Sequence, residues 1–181
     1  LKAGADANFG YDYIKDFEKR FEFIGRETIT TGWKMMDQIT GGGGGRSELG
    51  VVIAPTGVGK SMVLVHLGAT ALKAGMTVVH YTLELKDTVI ANRYDSCITG
   101  IPLDHLMDRK EEIRESLKEI DGNLIVKEYP TKTATVNTIS AHITKLKQQG
   151  IIPDMIIVDY ADLLRSSSQR KEKREELEGI Y

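Results

Sequence analysis

A chain of 181 residues suits one domain with a sizeable core and is short for two. Apolar residues make up 41% and charged residues 28%, an ordinary globular balance that excludes a disordered or fibrous chain. Lys and Arg total 24 against 26 Asp and Glu, and the formal net charge of −2 excludes a surface that coats nucleic acid throughout, so any contact with phosphate is local.

The chain opens on Leu1 rather than Met, which suggests a piece of a larger protein. Tyr13, Ile14, Phe17, Phe21 and Ile24 then recur at helical spacing, opposite Lys15, Asp16, Glu18, Lys19 and Arg20, and predict an amphipathic helix from Asp12 to Phe23. Its aromatic stripe buries either on the chain's own core or on a neighbouring subunit. A turn at Thr30-Thr31-Gly32 and a short helix over Trp33 to Ile39 follow, ended by the glycine run Gly41 to Gly45, whose role beyond a flexible turn is not evident.

From here strands and helices alternate. Leu49 to Ala54 is a short apolar run expected to be a strand, Lys60 to Ala74 a helix stopped by Gly75, and Thr77 to Leu83 a β-branched and aromatic strand. Lys86 to Cys97 and Glu111 to Ile120 read as helices, Leu124 to Lys127 as a strand, Val136 to Gln149 as a helix stopped by Gly150, and Met155 to Val158 as a strand. Runs that are continuously apolar belong to strands buried on both faces, so the expected fold is α/β, a mainly parallel sheet with helices on either side. Arg165 to Arg174 carries five basic residues and one acidic, as a solvated loop or one facing phosphates, before a helix-compatible stretch from Glu175 to Tyr181. No run approaches the roughly 18 apolar residues of a membrane span, and no signal peptide is visible, so the chain reads as soluble and cytoplasmic. The single cysteine, Cys97, excludes an internal disulfide and a thiolate metal site.

Between the first apolar run and the helix at Lys60 stands Ala54-Pro55-Thr56-Gly57-Val58-Gly59-Lys60-Ser61, the phosphate-binding pattern with Ala54 at the first glycine. Gly57 and Gly59 let the backbone bend so that successive N–H groups of the Pro55 to Ser61 loop, from Thr56 onward, point inward at a triphosphate, and the helix start adds its positive dipole end. Lys60 reaches the β and γ phosphates as a point charge, and the Ser61 hydroxyl takes one position on Mg²⁺. Met155 to Asp159 has the form of a Walker B strand, whose final carboxylate, Asp159, is expected to hold Mg²⁺ through water opposite Ser61. Glu84 ends the strand His80-Tyr81-Thr82-Leu83; if that strand neighbours the phosphate-loop strand, Glu84 lands beside Lys60 as the base for hydrolysis, the alternative being a helix-capping role. Arg93 either faces the nucleotide edge or is a solvated helix charge. His66 and His80 read as core or surface residues, His105 and His142 lack zinc-type partners, and Met35, Met36 and Met62 read as core.

Thr31-Gly32 with Trp33 to Asp37, Gly41 to Gly45, the phosphate loop, Tyr81-Thr82-Leu83-Glu84-Leu85 and Val158-Asp159-Tyr160 resemble, in order and spacing, the RecA-like motor domain of DnaB-type replicative helicases. Ile125 to Thr131 is most similar to the phage-encoded branch. The resemblance covers residues 30–181 and leaves 1–29 as a linker. It implies an ATPase with ATP and Mg²⁺ as ligands, Lys60 and Ser61 in its first motif, Glu84 as catalytic glutamate and Asp159 as magnesium aspartate. It further implies a hexameric ring, assembled through the linker helix, that moves on single-stranded DNA, with primase or a loader as partner. Asp162 stands where the family often has an amide. The family's polar sensor, DNA-binding loops and arginine finger are expected beyond the equivalent of Tyr181, so the chain alone is expected to bind nucleotide but to be a poor ATPase. A RecA-like recombinase, and from a different class a P-loop kinase or nucleotide-gated interaction protein, remain the competing readings.

Overall fold

The computed structural model of the chain describes residues 10–21 and 25–165. Its centre is β3 (Thr77–Thr82), flanked by β4 (Asn123–Glu128) and β5 (Met155–Asp159) in a parallel sheet of order β4-β3-β5. A parallel pair needs a crossover, and the helices that supply it cover the sheet. On one face Val78 and Ile157 pack with Val65, Ala69 and Leu72 of α2 (Lys60–Lys73) and with Ile90 and Tyr94 of α3 (Asp87–Thr99). On the other, Val79 and Tyr81 pack with Ile139 and Leu146 of α5 (Val136–Gln148). Every β3 residue from Val78 to Thr82 is buried, which is why its sequence shows no alternation of polar and apolar positions. The expected α/β architecture is therefore present, with helix and strand ends within a few residues of the sequence reading.

The N-terminal part forms a small ribbon against this layer. β1 (Thr28–Ile29) pairs antiparallel with β2 (Gly44–Gly45), and α1 (Lys34–Thr40) lies between them in sequence. Gly41, in the left-handed conformation, caps α1, so the glycine run both ends a helix and supplies a strand. The Asp37 carboxylate fixes the entry by accepting from Thr30 Oγ1 at 2.5 Å, Thr31 Oγ1 at 2.6 Å and the Thr31 amide at 2.8 Å. Trp33 stacks on the His66 ring of α2, with 4.1 Å between centroids. A satellite core of Ile101, Leu106 and Ile113 joins the turn Leu103–Arg109 to α4 (Lys110–Leu117).

Three expectations are corrected. Leu49 to Ala54 is not a strand: it pairs with nothing among the described residues, and Leu49, Val51 and Ile53 are exposed. An apolar run becomes a strand only by forming ladder hydrogen bonds to a neighbour; among the described residues the sheet ends at β4 and β5, and this run extends it at neither edge. The expected helix from Asp12 to Phe23 is a series of turns ending in a single 3₁₀ turn, Glu18–Arg20, with residues 22–24 outside the described part. Arg20 packs over the Tyr13 and Phe17 rings, and its guanidinium takes the Tyr13 carbonyl that an α-helix reserves for Phe17. Nothing described covers the aromatic stripe, and a segment this short does not hold a helix without burial. Met35, Met36 and Met62 are exposed rather than core, because α1 has no buried residue and the buried face of α2 begins at Val65. The basic run beyond Arg165 and the stretch from Glu175 to Tyr181 lie outside the described residues. No helix among the described residues is long and apolar enough to cross a membrane.

Candidate nucleotide-binding site

The loop ahead of α2 takes its shape from two glycines. Gly57 has φ +82° and Gly59 φ +105°, a region that side-chain-bearing residues adopt only with strain. Gly59 caps the helix, and its carbonyl accepts the Val63 amide at 3.0 Å. Pro55 to Val58 are exposed, and Lys60 and Ser61 stand half-buried in the first turn. The first amides of a 14-residue helix have no intrahelical acceptor, so they form an anion-attracting end.

The opposing wall is the carboxyl edge of the sheet. Parallel register sets Thr82 of β3 beside Asp159 of β5, and the Leu83 amide donates to the Asp159 carbonyl at 2.9 Å. Thr82 Oγ1 donates to the Leu85 carbonyl at 2.7 Å and accepts from the Leu85 amide, closing a turn that leaves Glu84 exposed at its tip. Thr131 Oγ1 donates to the Leu83 carbonyl at 2.8 Å and ties the turn to the segment after β4. The Asp159 carboxylate is 3% exposed, and its Oδ1 has no hydrogen-bond partner among the described residues. A buried carboxylate oxygen without a donor is costly, and a divalent cation or its bound water is the kind of group that satisfies it. No group of three His, Cys, Asp or Glu side chains among the described residues gathers as a self-sufficient metal cage.

Tyr160 joins the two walls. The Lys60 ammonium nitrogen lies 3.7 Å from the centroid of its ring. Burial pushes the Tyr160 phenol upward from its ordinary pKa, and the negative charges of Glu84, Asp162 and Asp159 push the same way. The ring of Tyr160, the residue after Asp159, thus brings Lys60, with Ser61 next to it in sequence, to the sheet edge that also bears the Glu84 turn. The strand before Glu84, β3, pairs with β4 and β5 and not with the run before the phosphate loop, so Glu84 shares its sheet edge with Asp159.

Behind Asp159, His80 is fully buried, and its Nδ1 lies 2.9 Å from the Tyr94 hydroxyl. Burial drives His80 down to about 4, against the opposing pull of Asp159. Gly68 of α2 makes room for this pair, since a Cβ there would fall 2.1 Å from the Tyr94 oxygen. His66 and His142 make structural contacts, to the Thr31 carbonyl at 3.0 Å and to the Tyr81 hydroxyl at 2.8 Å. The sequence offered Tyr160 only as part of the Val158-Asp159-Tyr160 motif, without a role of its own, and residue-by-residue reading missed Tyr94 and Gly68. A lone glycine inside a helical pattern was the one available signal, pointing at Gly68.

Comparison with known proteins adds the family. The family described as DnaB-like helicase C terminal domain matches residues 28–180. The chain is 32% identical to a DnaB-like replicative helicase of Enterobacteria phage T4, covering 92% of this chain and 37% of that protein. It superposes on a solved ATPase domain with a TM-score of 0.72 at 15% identity, covering 91% of this chain and 61% of that one. It superposes equally on a DnaB-like replicative helicase studied for its interactions with primase, with a TM-score of 0.73 at 14% identity over 96% of this chain and 44% of that one. At these identities the two structures speak to the RecA-like fold alone. The chain thus spans little more than a third of the phage T4 protein, and the matches favour the helicase branch over the recombinase. Because the family match runs through all but the first 27 residues and Tyr181, the chain belongs to the DnaB-like helicase C-terminal domain family.

Proposed function

We propose that this chain is the ATP-hydrolysing motor of a replicative DNA helicase, coupling hydrolysis to movement along single-stranded DNA and duplex unwinding. The observation that carries the reading is Lys60 of the glycine loop standing over Tyr160, next in sequence to the buried Asp159 at the sheet edge that also bears the Glu84 turn. Backbone amides of Pro55 to Ser61, proline excepted, cradle the phosphates, and Lys60 neutralises the β and γ oxygens. Ser61 and Asp159 hold Mg²⁺, the orphaned Asp159 Oδ1 being the atom that fits it. When bound, the ion supplies positive charge across the phosphate oxygens. Glu84, exposed on its clamped turn, orients the attacking water and takes its proton.

Residues 1–29 serve as the linker and 30–181 as the ATPase domain. The exposed Tyr13, Ile14, Phe17 and Phe21 give the linker an apolar face suited to a second copy, as in a hexameric ring. The relative characterised with primase makes primase a candidate partner, beside a loader, and the cytoplasm, of a host cell for a phage protein, the place of work. The test is hydrolysis by the full-length protein with and without single-stranded DNA, combined with negative-stain imaging. Stimulation by DNA and closed six-fold rings are expected. Open filaments on DNA, or no hydrolysis in either condition, overturn the reading.

A further inference from the structure

Glu84 is exposed at the tip of its turn, so packing does not place its carboxylate and the backbone on either side has to. On that backbone the Leu83 amide donates to the Asp159 carbonyl at 2.9 Å, and the buried Thr82 hydroxyl engages both main-chain groups of Leu85. The remaining hold comes from far along the chain. The Leu83 carbonyl accepts from Thr131 Oγ1 at 2.8 Å, across 48 positions of sequence. This carbonyl and the Glu84 amide share one rigid peptide plane, so a donor fixed on the oxygen sets the direction in which the chain enters Glu84. Thr131 is itself anchored. The Tyr129 amide donates to the Thr82 carbonyl at 3.0 Å and carries the pairing of β3 and β4 past Glu128. Lys132 follows with φ +59°, a conformation that costs a residue with a side chain, and its amide donates to the Leu163 carbonyl at 2.8 Å. The Arg165 amide donates to the Ala134 carbonyl at 2.8 Å, so residues 129–134 are tied to the Glu84 turn on one side and to the segment after Asp159 on the other.

We propose that Thr131 is a positioning residue for hydrolysis, whose hydroxyl sets the Leu83–Glu84 peptide so that the Glu84 carboxylate meets the attacking water. The proposal rests on the reading of Glu84 as the base. Thr131 is exposed, so its side chain fills no core position and its hydroxyl is the part that the turn uses. Misplacing a reacting group by about 1 Å costs up to about 100-fold in rate, and losing one hold on a turn that keeps its others is expected to cost about tenfold. Nucleotide affinity, which comes from the glycine loop, is expected to stay as it is.

The test is single-turnover hydrolysis by the full-length protein at saturating Mg·ATP, with affinity measured by calorimetry. Thr131→Val keeps the shape and removes the hydroxyl; it is expected to slow hydrolysis about tenfold with affinity unchanged. Thr131→Ser keeps the hydroxyl and is expected to restore the parental rate. Damage to the fold lowers rate and affinity together and is not rescued by serine. In the Glu84→Gln background no base is left to place, so adding Thr131→Val is expected to slow the residual reaction no further, whereas independent effects multiply. A parental rate in Thr131→Val, an equal loss in the serine and valine variants, or an undiminished loss on the Glu84→Gln background overturns the proposal. Should Thr131→Val fail to fold, Thr131→Ala removes the same hydroxyl from the same exposed position and carries the same expectations. Glu84→Gln alone separates the two claims: near-parental hydrolysis removes the base reading itself, whereas a loss of at least about 100-fold beside a parental Thr131→Val removes the positioning role alone.

Discussion

Lys60, Glu84 and Asp159 reach one place by three different local devices: a helix start behind a left-handed glycine, a turn clamped by a threonine, and the last residue of a buried strand. Only Glu84 is exposed, which suits a group that must meet water, whereas Asp159 is enclosed. Glu84→Gln keeps the shape and removes the base. Nucleotide binding should survive while turnover of the full-length protein falls at least about 100-fold, the scale of general-base catalysis. A steady-state assay showing near-parental turnover would move the base elsewhere. His80 supplies a second residue-level prediction. Burial lowers it from 6.5 to about 4, so the folded state resists protonation that the unfolded chain accepts. Its contribution is complete above about pH 6.5 and is lost as pH falls toward 4, up to roughly 3 kcal/mol. Urea midpoints should therefore drop between pH 6.5 and 4.5 more steeply in the parent than in His80→Leu, and parallel slopes would contradict the assignment.

At the scale of elements, legibility followed burial. β3 and β5 were readable as continuous apolar runs, the pattern of strands enclosed in a parallel sheet, and the helices α2, α3 and α5 by apolar residues recurring at helical spacing. Leu49 to Ala54 is a similarly apolar run, yet among the described residues it forms no ladder with any strand, and pairing is not written in a strand's own sequence. The segment from Asp12 onward has helical spacing without a surface among the described residues to bury it, and Arg20 gave its aromatics Tyr13 and Phe17 another partner. The contact of Tyr160 with the site, as distinct from its place in the Val158-Asp159-Tyr160 motif, was invisible for a related reason: it is made with a lysine 100 positions earlier. Gly68 lets two opposed effects be weighed. Propensity alone says that Gly68→Ala stabilises α2 by about 0.5–1 kcal/mol. A Cβ 2.1 Å from the Tyr94 oxygen instead forces that ring, and its bond to His80, to move, at about 1–3 kcal/mol. Overpacking wins, so chemical denaturation should find the variant less stable; a gain would mean that the Tyr94 ring relocates freely.

For the molecule as a whole, a near-neutral charge fits a motor that meets DNA at a few places rather than over its whole surface. The aromatic face of residues 11–21, uncovered among the described residues, is the surface proposed to meet the next subunit. Replacing Phe17 and Phe21 by serine should therefore dissociate rings of the full-length protein in sedimentation velocity, with circular dichroism unchanged. Rings that persist would assign assembly to another surface. The central claim is that one phosphate site, organised by Lys60, drives everything else. Its most direct measurement is calorimetric titration of the parent and Lys60→Ala with ATP, each with Mg²⁺ and with excess chelator. The account predicts Mg²⁺-dependent binding to the parent that Lys60→Ala abolishes or weakens severely; equal affinity in the two proteins would contradict it.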